Sequence, residues 1–82
     1  MGDSFYWIPI AKRGKHLDVA ARSAFRAAME RCFGDFPIEL GSEDDVHKLS
    51  GMRAAMPSEA AVFDEIMGAI ADHGSIRLTV EG

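Results

Sequence analysis

Cysteine is almost missing from this 82-residue chain: Cys32 stands alone. A lone cysteine has no internal partner, which excludes a disulfide scaffold and fits a reducing compartment, so a cytoplasmic location is expected. Long apolar runs are missing too. No stretch of about 18 apolar residues occurs, so no membrane span is expected. The Met-Gly-Asp-Ser start lacks a basic region followed by an apolar stretch, so no secretory signal is read. Position 6 is Tyr where a myristoylation signal takes Ser or Thr, so no lipid anchor is read either. Internal repeats, linkers and low-complexity tracts are absent as well, and residues 1–82 read as one small domain.

Catalytic and metal motifs are equally scarce. His16, His47, His73 and Cys32 are scattered, with no pair at zinc-site spacing, so no metal and no cofactor are expected. No nucleophile elbow occurs, and Cys32 falls on an apolar stripe where a thiol packs as a small hydrophobe. Adjacent acids such as Asp44-Asp45 and Asp64-Glu65 point in different directions on a helix, which makes a poor catalytic pair. The chain is therefore read as not an enzyme.

What is present is a pattern of elements. Residues 5–10 are aromatic and β-branched, with Phe5 and Trp7 on one side and Tyr6, Ile8 and Ile10 on the other. That predicts a strand whose second face is either covered or a binding surface. Asp18 is placed to cap a helix carrying Leu17, Ala21, Ala24, Phe25, Ala28 and Cys32 on one stripe, ended by Gly34. Phe36, Ile38 and Leu40 alternate as a second strand. Ser42, with Asp45 three residues on, resembles a capping box for a second helix. This would carry Val46, Leu49, Met52, Arg53 and Met56, and Pro57 would stop it.

The clearest unit lies last. Ser58 opens a helix with Val62, Phe63, Ile66, Met67 and Ile70 on one face. His73-Gly74 stops it, and Ile76, Leu78 and Val80 alternate as a closing strand. The expected fold is α+β, in the order β-α-β-α-α-β. It would have a three-stranded mixed sheet, with the first two strands parallel and the helices packed on one face.

The formal charge of −4 is unevenly spread. Residues 1–36 carry six basic against four acidic side chains, and residues 37–82 carry three against nine. Overall acidity argues against direct nucleic-acid binding, which needs a concentrated positive field. Glu43, Asp44, Asp45, Glu59, Asp64, Glu65 and Asp72 lie on or beside the two C-terminal helices. On the outside of a helix hairpin they would offer an acidic face to a protein with a basic surface. Tyr6, Trp7 and Arg77, with Thr79, form a second candidate patch on the open sheet face, since aromatics and arginine anchor interfaces. Two other readings stand beside these: a homodimer joined through the sheet face or the first helix, and an anion site in the Lys12–His16 loop, which joins a strand to a helix start.

Two stretches carry a resemblance. One is Ile38-Glu-Leu-Gly-Ser-Glu-Asp-Asp-Val-His-Lys-Leu49. The other runs from Phe63-Asp-Glu-Ile-Met67 through His73-Gly74 into Ile76-Arg-Leu-Thr-Val80. Together they resemble small phage-encoded proteins of the anti-CRISPR type, in which a strand, an acidic helix hairpin and a closing strand make a compact domain. The resemblance implies a host-directed inhibitor that occupies the nucleic-acid-binding surface of a CRISPR effector.

Overall fold

A computed structural model describes residues 2–41 and 45–82. Its elements run β1 (Asp3–Ala11), α1 (Val19–Phe33), β2 (Ile38–Leu40), β3 (His47–Gly51), a 3-10 turn (Arg53–Ala55), α2 (Glu59–Ile70) and β4 (Gly74–Glu81). The strands form one antiparallel sheet in the order β2-β3-β1-β4. β-α-β-β-α-β with this strand order is two interlocked β-α-β units, the ferredoxin-like, split β-α-β plan.

The α+β class is as expected, and the count and direction of strands are not. Four strands replace three, and the sheet is antiparallel throughout. β1 and β2 do run in the same direction, but β3 lies between them. The expected second helix is replaced by β3 and the short 3-10 turn, so no acidic helix hairpin forms. The cause is tertiary. Val46, Leu49, Met52 and Met56 are spaced for a helix, but His47 and Leu49 also alternate. Pairing on both sides, with β1 and with β2, decides between the two periods. The Ser42 cap, with Glu43 and Asp44, lies outside the described residues.

The two longer helices start as their sequences dictate. The Ala21 amide donates to Asp18 Oδ1 at 2.8 Å, and the Ala61 amide donates to Ser58 Oγ at 3.1 Å. Both helices pack on one face of the sheet. Phe5 and Trp7 on β1, Leu49 on β3 and Ile76 on β4 meet Phe25, Ala28, Met29 and Phe33 of α1 and Val62, Ile66 and Ile70 of α2. Met29 and Phe33 are fully buried although the alanine-rich stripe omitted them, whereas Cys32 is only half-buried.

Trp7 requires a correction. Its side chain is 2% exposed, with ring centroids 5.6 Å from Phe33 and 5.4 Å from Phe63. It is a central core residue and has no place in a surface patch. The strand period explains this: Phe5, Trp7 and Pro9 point to the helices, so Tyr6, Ile8 and Ile10 point away from them.

Candidate interaction surface

The register assembles the outer face of the sheet. Glu39, Lys48, Tyr6 and Thr79 stand in one row across all four strands. Ile8 faces Arg77 in the next row, and Ile10 faces Ser75 beyond it. The Lys48 ammonium lies 6.0 Å from the Tyr6 ring centroid and 3.8 Å from the Glu39 carboxylate. Such spacing holds the cation at the ring while its charge is partly balanced. Tyr6, Ile8 and Lys48 are half-buried, Ile10 is 39% exposed, and Arg77 is exposed. The face is thus a short apolar ridge along β1 flanked by cations on β3 and β4.

This ridge continues into a cleft. β3 reaches only as far as Trp7, so β1 beyond that point pairs with β4 alone. A cleft of about 580 Å³ opens there, lined by Ile8, Ile10, His16, Leu17, Arg22 and Arg77 among others. The basic loop of residues 12–16 adjoins it. Gly14 turns this loop with φ 79°, a conformation that suits glycine. The loop is pinned where the Lys12 amide donates to the His73 carbonyl at 2.9 Å. The start of α1, where an anion would dock, already holds the Asp18 carboxylate. The hydrogen bond from the Ala21 amide keeps that carboxyl below its usual range.

The described acids of the proposed acidic face are largely occupied. Asp45 accepts from Arg26, with Nε at 2.9 Å, and lies 3.7 Å from Arg22 Nε; its side chain is only 9% exposed. Glu65 pairs with Arg31 at 2.7 Å, and Glu59 pairs with Arg53. Asp64 and Asp72 are exposed and form no ion pair with the described residues. Glu43 and Asp44 lie outside the described residues. Most of these pairs join the basic N-terminal half to the acidic C-terminal half, so much of the charge asymmetry is met inside the molecule.

Asp45 also shapes the backbone. Its φ of 58° is the one positive value among the described non-glycine residues. Its carbonyl takes the Nδ1 proton of His47 at 2.6 Å. His47 is 3% exposed and meets the Phe25 ring edge-on at 5.1 Å. Burial lowers its pKa below 6.5, more than the Asp45 carbonyl raises it. His47 is therefore a neutral core residue. Burial pushes the Cys32 thiol up, which keeps it protonated at neutral pH. No group of three or more His, Cys, Asp or Glu among the described residues is placed to hold a metal. Among them, too, no helix is long and apolar enough to cross a membrane.

The structure brings Tyr6 and Arg77 onto one face, with Thr79, and removes Trp7 from it. Lys48 and the Ile8–Ile10 ridge belong to that face as well. The ridge is visible in the period-2 pattern of residues 5–10. Lys48 has no such signal once residues 46–56 are read as a helix. Comparison of the chain with protein-family models, curated proteins and solved structures finds no match.

Proposed function

We propose that this chain is a non-enzymatic protein-binding domain whose recognition surface is the outer face of the sheet. The observation that supports it is the ridge of Tyr6, Ile8 and Ile10, turned away from both helices and flanked by Lys48 and Arg77. Apolar and aromatic groups on a rigid central strand, with charged side chains at their border, make the usual anchor and rim of an interface. The partner that fits is a protein surface with an apolar protrusion and acidic neighbours. One tyrosine is a thin platform for stacked bases, which favours protein over RNA on this four-stranded sheet.

A second reading follows the phage-inhibitor resemblance. There, exposed acids would mask the basic nucleic-acid-binding surface of a CRISPR effector. Asp64 and Asp72 on and beside α2 favour it, being the members of that set without arginine partners among the described residues.

Affinity capture with two double variants separates the readings. If the sheet face binds, Tyr6→Glu with Ile8→Lys abolishes capture of a partner that Asp64→Lys with Asp72→Lys retains. The reverse outcome, with capture that weakens as salt rises, transfers the function to the acids. Capture unaffected by either pair refutes both.

A further inference from the structure

The two edges of the sheet are built differently. Natural sheets protect an edge by keeping it short or by placing proline, lysine or a bulge on it. The β2 edge follows this rule: it is three residues long and follows Pro37 directly. The β4 edge does not. It runs eight residues, roughly 27 Å at the usual rise. It contains no proline and no lysine, and it pairs with β1 residue for residue without a bulge. Its far side pairs with no strand among the described residues.

Its sequence is also complementary to itself. Arg77, Thr79 and Glu81 share the outer face, while Leu78 and Val80 share the inner one. Neither Arg77 nor Glu81 has a charged partner on β1, where they oppose Ile8 and Ser4, and neither is in an ion pair among the described residues. Val80 is 39% exposed at the rim of the core.

We propose that β4 pairs antiparallel with β4 of a second copy of this chain, with the two-fold axis at Thr79. In that register Arg77 faces Glu81 of the other copy, twice by symmetry. Thr79 faces Thr79, and Leu78 faces Val80 across the inner side. Opposite charges, Thr–Thr pairs and apolar pairs are the cross-strand combinations that stabilise antiparallel ladders. Neighbouring registers lose this. Centring on Leu78 sets Arg77 against Thr79, centring on Arg77 sets like charges together, and centring on Val80 sets Thr79 against Glu81. The product is one eight-stranded sheet with all four helices on one side and both Tyr6–Arg77 faces on the other. A self-complementary patch of this kind closes as a dimer and does not propagate.

Sedimentation velocity over a concentration series tests this, with Arg77→Glu, Glu81→Arg and the double exchange. Each single reversal replaces two attractions per dimer with two repulsions, so the dissociation constant should rise about tenfold or more. The double exchange should return it to near the wild-type value. Circular dichroism checks that each variant folds. Hydrogen exchange on the wild-type chain provides a readout without mutation: the alternate amides of residues 76–81 that point away from β1 should gain protection as concentration rises. A wild-type chain that stays monomeric up to about 1 mM overturns the proposal. So does a dimer indifferent to both reversals, or one the double exchange fails to restore.

Discussion

Replacing Trp7 with phenylalanine should cost little, although Trp7 is among the most deeply buried residues. The ring is 2% exposed, yet its indole Nε1 has no hydrogen-bond partner among the described residues. Trimming indole to phenyl removes apolar contact in the pocket between Phe33 and Phe63, a loss of about 1–2 kcal/mol with the residual cavity. The same change removes a buried donor whose lost hydration costs about 1–3 kcal/mol. The two terms oppose each other, and the net change should lie within about 1 kcal/mol of zero. Trp7→Ala removes the aromatic as well and should cost about 3–5 kcal/mol. Urea unfolding followed by far-ultraviolet circular dichroism measures both, since the fluorophore is lost in each variant. A loss above about 3 kcal/mol for Trp7→Phe would mean that the Nε1 proton has an acceptor, and the reasoning fails. A mild Trp7→Ala would mean that the residue is not core.

Two glycines should respond in opposite directions. A Cβ on Gly74 would collide with the Ile10 carbonyl and sit 3.1 Å from Leu17 Cδ2, so Gly74→Ala should lose about 1–3 kcal/mol in the same assay. Gly68, exposed inside α2 with nothing within 4 Å of a new Cβ, should gain about 0.5–1 kcal/mol as alanine. At Asp45, asparagine tolerates the positive φ and removes only the carboxylate charge. Because Arg22 and Arg26 are about half exposed, Asp45→Asn should lose about 0.5–1 kcal/mol, and Asp45→Ala about 1 kcal/mol more for the backbone. His47 makes stability depend on pH. Its pKa is lowered in the fold, so below 6.5 the unfolded chain takes up a proton that the native state resists. Stability from this group should be present above that value and fall as pH drops below it, and His47→Gln should flatten the decline below about pH 6.5.

Legibility in the sequence followed the range of the interactions involved. Helices α1 and α2 were readable because Asp18 and Ser58 cap their own first turns within three residues. β1 was readable from its run of aromatic and β-branched residues, and β4 because it alternates over a long enough run to fix its period. β3 was not, because five residues satisfy a helical and an extended spacing equally well, and only long-range pairing selects one. For the same reason Trp7 and Tyr6 could not be sorted: both sides of β1 are apolar, and the choice depends on where the helices dock. Asp45 shows a further limit. Its three roles, as clamp for two arginines, acceptor for His47 and holder of a positive φ, all depend on where the chain has already folded.

The charge asymmetry bears most directly on function, and the fold changes its meaning. Read linearly, a −6 half following a +2 half suggests an acidic surface seeking a basic partner. Folded, Arg22 and Arg26 meet Asp45, and Arg31 meets Glu65, so much of that attraction acts between the halves of one molecule. A carboxylate already held by an arginine gives a partner less than a bare one, because the first pairing must be broken or shared. Among the described acids of the proposed acidic face only Asp64 and Asp72 stay without an arginine. The Tyr6–Ile8–Ile10 ridge, Arg77 and the edge of β4 lie together on or beside the β1–β4 pair, outside these internal ion pairs. On the proposed reading, recognition rests on β1 and β4 and the apolar surface they expose, with the net charge of −4 in a secondary, long-range role.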